Sequence, residues 1–247
     1  MTSHSDVHHY GGLTYWGPIS AAKMESLVDF MDLPSSPRAI DVGCGRGELL
    51  LRLVERHGAS VVGLDQSRAA LALAKSAFAK RAPEANAEWV AGNASDHAPV
   101  LKSFDLASWI GGPYLGGSLE SAIRTLLTWL RPGGYLLIGH GFWQQPPPPD
   151  YLAATGVSAD EFGAHYETIV AGEALGLRLQ TCAVSDRDEW DRFEGAILSN
   201  SERWAHDHPQ DPDPSFRLQQ RRDWNLAQQR WGRDTMGFGL YLFRKGA

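Results

Sequence analysis

The segment Asp41-Val-Gly-Cys-Gly-Arg-Gly47 places three glycines at alternate positions between two acids, Asp41 and Glu48. Glycines so spaced let a backbone turn sharply and let a ligand approach without a side chain in between. A dinucleotide fingerprint requires G-x-G-x-x-G, and the sixth position from Gly43 is Glu48, so that pattern fails. The chemistry disfavours it too, because a pyrophosphate seeks N–H groups with no anion nearby. Two flanking carboxylates suit a positive or zwitterionic ligand. S-adenosylmethionine, with a sulfonium, an ammonium and one carboxylate but no phosphate, fits that description.

Asp65 ends the next apolar run and can accept hydrogen bonds from both ribose hydroxyls of such a ligand. The competing role is an N-cap for the following helix, which Ser67 can fill itself. Gln66 can flank an adenine ring. In Gly92-Asn-Ala94, Asn93 can accept from the adenine amino group and the Ala94 N–H can donate to a ring nitrogen.

For proton removal near neutral pH, His140 is the candidate base, expected at the end of a strand. Its alternative is a structural histidine bonded to a loop. Tyr114, in Gly111-Gly-Pro-Tyr-Leu-Gly-Gly117, can orient an acceptor or simply fill space. Of nine tryptophans, Trp16, Trp109 and Trp143 fall in or beside loops at strand ends. With Tyr15 they can wall a planar acceptor and attract a sulfonium. Trp190, Trp204, Trp224 and Trp231 read as core, and His165 as a packing or surface residue. Arg217, Arg221 and Arg222 read as a solvated helix face, with steering of an acidic acceptor as the alternative. His206, His208, Asp211 and Asp213 sit in a polar, proline-containing stretch, and no metal is expected there.

These residues need a scaffold that alternates strands and helices. Apolar runs predict strands at Ala39–Val42, Ser60–Leu64, Ala87–Ala91, Phe104–Ile110, Tyr135–Gly139, Leu177–Val184 and Met236–Phe243. Helical spacing marks Ile19–Asp32, Glu48–His57, Ser67–Arg81, Leu119–Leu130 and Ala159–Ala174. Arg131-Pro-Gly-Gly134 reads as a turn and Pro146–Pro149 as an extended linker. The fold class is α/β, a doubly wound Rossmann-like sheet of seven strands, with ligands beyond the C-terminal strand ends. One domain over 1–247 is expected: an N-terminal lid segment 1–37, a cofactor-binding core 38–185, a helical excursion 186–234 and a final strand 235–247.

Composition narrows the partners. The chain has 247 residues, 43% hydrophobic, with a formal net charge of −6. No basic field gathers nucleic acid or an anionic membrane, and no run approaches the roughly 18 apolar residues of a span. Two distant cysteines, Cys44 and Cys182, read as free thiols in a reducing, cytoplasmic setting. A monomer or homodimer is expected.

Together, Asp41–Gly47, Gly63-Leu-Asp65, Gly92-Asn-Ala94, Phe104-Asp-Leu106 and Leu130-Arg-Pro-Gly-Gly134 resemble the class I S-adenosylmethionine-dependent methyltransferases over about residues 38 to 140. The resemblance implies a last strand running antiparallel. It also implies that Gly43, Gly45 and the Asp41–Cys44 neighbourhood hold the methionine end, Asp65 the ribose, and Asn93 with Ala94 the adenine, beside Trp109. Trp109-Ile-Gly-Gly112, Leu137-Ile-Gly139, Phe142-Trp143 and Glu189-Trp-Asp-Arg-Phe193 are similar to a bacterial branch of small-molecule methyltransferases. That branch often has an acid where this chain has His140 and Asp where it has Asn93. The function expected is in-line methyl transfer to a small molecule. A cofactor-binding protein with a sensor or lyase-like role is the alternative, and an NAD-dependent oxidoreductase is disfavoured by Asp41 and Glu48.

Overall fold

Strands whose residues are apolar at consecutive positions must be covered on both faces. In the computed structural model, which describes residues 7–94, 97, 100–112, 115–210 and 214–246, they are. The strands are β1 (Arg38–Val42), β2 (Ser60–Asp65), β3 (Ala87–Ala91), β4 (Phe104–Ile110), β5 (Leu130–Trp143), β6 (Leu177–Val184) and β7 (Met236–Lys245). They form one sheet in the order β3-β2-β1-β4-β5-β7-β6. The pairs from β3 to β5 are parallel, and β7 runs antiparallel to both β5 and β6.

Successive residues of β7 go to opposite cores. Leu240 and Leu242 join Met24, Leu50 and Leu53 on one face, while Tyr241 and Phe243 join Ile123 and Leu126 on the other. The first face is covered by α1 (Ala21–Phe30), α2 (Glu48–His57) and α3 (Arg68–Arg81), the second by α4 (Leu119–Trp129) and α6 (His165–Ala174). Between these last two lies the short α5 (Pro149–Thr155). The excursion before β7 holds α7 (Arg187–Asp207) and α8 (Pro214–Ala227).

Local signals explain the helix starts. Ser67 Oγ accepts from Ala70 N at 3.2 Å, and α2 ends where Gly58 adopts a φ of 62°. Asp186 and Glu189 exchange side-chain and backbone bonds of 2.9 Å each, a capping box that opens α7. The same Glu189 accepts from Ser20 N at 2.9 Å and pairs with Lys23 Nζ at 2.5 Å, tying α7 to α1.

Four expectations are corrected. The first helix is shorter, because Ser20 caps it and Met31 is already extended. The Arg131–Gly134 segment is absorbed into β5 as an irregularity, with Gly133 at φ +77° and the Arg131 guanidinium paired to Asp105 at 2.9 Å. Pro149 opens α5 rather than extending a linker. The stretch 159–174 splits into a 3-10 turn at Ala159–Glu161 and α6.

Close packing under the first crossover is tight. A Cβ on Gly63 of β2 would fall 2.6 Å from the Trp89 ring and 2.9 Å from Cys44 Sγ. Gly63→Ala is therefore expected to destabilise the protein by about 1–3 kcal/mol, the cost of overpacking a dense core. Urea denaturation checks this, and an unchanged midpoint would contradict the packing described.

Candidate functional site

Each glycine of the turn has a left-handed backbone: φ is +73° at Gly43, +53° at Gly45 and +73° at Gly47. Their reasons differ. A Cβ on Gly47 would strike Trp89 at 2.8 Å and Ala74 at 3.1 Å, so packing demands that glycine. Gly43 meets nothing nearer than the Gly112 Cα at 3.8 Å and borders open space. The turn is anchored from below, where Gly43 N and Cys44 N both donate to Leu64 O. It is anchored from the side by Asp65, whose Oδ2 accepts from Gly45 N at 2.8 Å and whose Oδ1 accepts from Ser67 N at 2.7 Å. Each carboxylate oxygen keeps lone pairs for a ligand.

A cavity of about 480 Å³ opens beyond the strand ends, lined by Gly43, Asp65, Gln66, Gly92, Ala94, Trp109 and Leu115 among others. Its roof comes from distant parts of the chain: Val7, His9, Tyr10, Trp16 and Arg221. Tyr10 and Trp16 stack at 4.7 Å. Asn200 of α7 donates to His9 O at 2.9 Å and Gly11 O at 2.8 Å, and His8 stacks on Trp204 at 4.1 Å. A smaller recess of about 50 Å³ adjoins the cavity at Trp16, Gly43 and Ile110. Tyr15, Asp41, Cys44, Gly45 and Arg46 line it.

The recess has an unusual donor set. Asp41 is buried and accepts from Ser108 Oγ at 2.7 Å. Burial, reinforced by the Asp65 charge and opposed by the Ser108 bond, pushes its carboxyl up to about 7. Arg46 donates through one terminal nitrogen to Leu13 O at 2.8 Å, while its buried Nε has no partner among the described residues. An acid and an orphaned guanidinium N–H in one recess suit a group that carries both an ammonium and a carboxylate. Burial also drives the Cys44 thiol well up, with Asp41 and Asp65 adding to the effect. Tyr15 is raised by burial and by Glu48.

Most of the residues singled out in the sequence meet here, some in other places than expected. Asp41, Gly43, Cys44, Gly45, Asp65, Gln66, Ala94, Trp16, Tyr15 and Trp109 border the cavity or the recess. Asn93 is exposed between the lining residues Gly92 and Ala94. Trp143 lines neither space: its Nε1 donates to Ala159 O at 2.8 Å, and its ring packs on Tyr151 and Phe162. His140 does not end its strand, because β7 pairs with β5 as far as Trp143. Its ring lies buried between Trp109 and Phe162, 3.5 Å from Thr168 Oγ1, and burial lowers it to about 4. Glu48 does not bracket the turn with free charge, since Arg52 and Arg81 bond it at 2.9 and 3.0 Å. Tyr114, Asp211 and Asp213 lie outside the described residues, among which no three His, Cys, Asp or Glu side chains form a group able to hold a metal. Nor is any helix among them long and apolar enough to cross a membrane.

The sequence motifs do not single out Arg46, Val7 and His9 as lining residues. Arg221 reads as part of a solvated helix face, with steering of an acidic acceptor as the alternative; the structure places Arg221 on the cavity wall. The one signal that could have found Arg46 is its place between two motif glycines. Val7 and His9 carried no pattern at all.

A family model for a methyltransferase domain matches residues 39–134. The chain is 28% identical to the uncharacterized protein YjhP of Escherichia coli (strain K12) over 91% of each chain. It is similar to the crystal structure of a SAM-dependent methyltransferase from Geobacter sulfurreducens in complex with S-adenosyl-L-homocysteine, with a TM-score of 0.90, 26% identity and 98% of each chain covered. A second such structure, from Thiobacillus denitrificans, gives a TM-score of 0.89 at 23% identity over 98% of each chain and speaks for the fold alone.

Asp41 fixes a pH signature of the ligand-free protein. Its folded value of about 7 lies above the ordinary 3.8. Its contribution to stability is thus intact below pH 4 and is lost as pH rises through 7. Asp41→Asn is expected to match the parent near pH 4 and to exceed its Tm at pH 8 by about 2–8 °C, what 1–2 kcal/mol is worth in a domain of this size. Calorimetric scans at both pH values check this, and a variant less stable than the parent at pH 8 would remove the buried-charge explanation.

Proposed function

We propose that this chain, which belongs to the class I S-adenosylmethionine-dependent methyltransferases, binds that cofactor in the cavity and moves its methyl group to a small-molecule acceptor. The observation that carries this reading is the Asp65 carboxylate, held by two backbone N–H groups and facing the cavity at the end of β2. So placed, it favours a ligand with vicinal hydroxyls. Asp41 and the Arg46 Nε would hold the two charges of an amino-acid end in the recess. Ala94, Leu115 and Trp109 offer apolar flanks for a base, with Gln66 at the rim.

When bound, the cofactor supplies an activated methyl carbon and a neutral thioether leaving group. The remaining work is alignment and exclusion of water, which in the best intramolecular cases is worth roughly 7–11 kcal/mol. The roof supplies the exclusion: the Tyr10–Trp16 stack covers Gly45, whose added Cβ would meet Trp16 at 2.9 Å. His140 fits a positioning role behind Trp109, and a histidine lowered to about 4 is neutral at working pH. A small acceptor is favoured by the size of the cavity and by the net charge of −6, which gives nucleic acid no field to follow.

Titration calorimetry with S-adenosylhomocysteine is expected to show one site. Asp65→Ala should weaken it about 100-fold or more, since charge-assisted bonds are each worth roughly 1.5–3 kcal/mol. Unaltered affinity would sink the cofactor assignment. Asn200→Ala, which frees the His9 and Gly11 carbonyls, should speed amide exchange over residues 9–16 about tenfold, the effect of losing 1.4 kcal/mol of local stability. Equal exchange in the variant would mean that α7 does not hold the roof.

A further inference from the structure

A second cavity of about 400 Å³ abuts the first, and His9 and Arg221 line both. Its other walls include Thr155, Arg217, Gln220 and Trp224. Arg221 stands at the junction of the two spaces, half buried on α8. Its neighbour Arg222 is spent on Glu202 through bonds of 2.6 and 2.8 Å. Arg221 has no such partner among the described residues. The acid that senses it is Glu194, whose carboxyl burial holds toward the neutral form. Asp223 also lines the second cavity, where it accepts from Gln219 Nε2 at 2.8 Å.

A half-buried guanidinium facing a cavity keeps its cost until an anion or carboxylate meets it. Its planar fork matches carboxylate and phosphate oxygens two at a time. We infer that the methyl acceptor carries an anionic group, a carboxylate or a phosphate monoester, seated on Arg221 at the junction of the two cavities. The rest of the acceptor would lie along Trp224 or extend under the roof toward the cofactor cavity. This inference rests on the reading of the chain as a methyltransferase for small molecules, and it names the chemical class of the acceptor.

The test uses the full chain with and without S-adenosylhomocysteine, at constant ionic strength so that screening stays fixed. Benzoate, phenyl phosphate and the neutral analogue benzamide are titrated by calorimetry into the parent protein, Arg221→Gln and Arg222→Gln. At least one of the two anions is expected to bind the parent, and which one does so tells carboxylate from phosphate. Arg221→Gln should weaken that anion about tenfold or more, as loss of a charge-assisted bond requires, with any loss of S-adenosylhomocysteine affinity several-fold smaller than the loss of anion affinity. Arg222→Gln should leave both unchanged, and benzamide should bind at least about tenfold more weakly than the anion. The inference is overturned if neither anion binds, if benzamide binds as well as the anion that binds, or if Arg221→Gln leaves the affinity for that anion intact. Anion binding that depends on Arg221 in a chain that takes no S-adenosylhomocysteine would sustain the anion seat and sink the cofactor reading; the reverse pattern would do the opposite.

Discussion

The carboxylate of Asp65 is the fixed point of the site. It reaches from the end of β2 across to the glycine turn and takes the Gly45 N–H, while its other oxygen takes the N–H of Ser67. Three consecutive alternate glycines in left-handed conformations have little preference for one path. A charge-assisted bond to the middle one selects that path, and it also turns the carboxylate toward the cavity. One side chain thus sets the shape of the floor and supplies its charge. Ser67 leaves it free to do so by capping α3 with its own hydroxyl.

The floor is rigid and costly, and the roof is assembled from afar. Asp41 is buried against Ser108 in a form that resists ionisation, and Arg46 holds a buried N–H that has no partner among the described residues. Such groups lower the stability of the empty protein and raise its appetite for a ligand of matching charges, the usual tension between a poised site and a stable fold. The roof joins residues near position 10 to residues near position 200 through Asn200, His8 and Trp204. Lys23 and Ser20, bonded to Glu189, extend that link down to α1.

Much of this was legible in the sequence. Strands β3, β4 and β6 and helix α2 have the boundaries that their apolar runs and flanking glycines predict. The glycine turn and Asp65 were legible because their constraint is local. What was not legible depends on partners far along the chain. Gly139 reads as a strand end, yet Gly237 and Gly239 of β7 face this part of β5 and let the ladder run on to Trp143, which buries His140. Glu48 reads as a charge beside the turn, but Arg81, a helix away, takes both its oxygens. Trp143 reads as a loop aromatic and instead anchors a core with Tyr151, because α5 begins where a proline run suggested only a linker.

The placement of β7 between β5 and β6 has a bearing on how the molecule comes to exist. Among the described residues, strand β6 finds its neighbour only in Met236–Lys245, on the far side of α7 and α8. During synthesis, β6 and α6 must wait beside an unfinished edge until about fifty further residues have left the ribosome. Pairings of such long sequence separation form late and slowly. The excursion helices are therefore made before the sheet they lean on is whole, and the nascent protein passes through a stage with an open seam at β5.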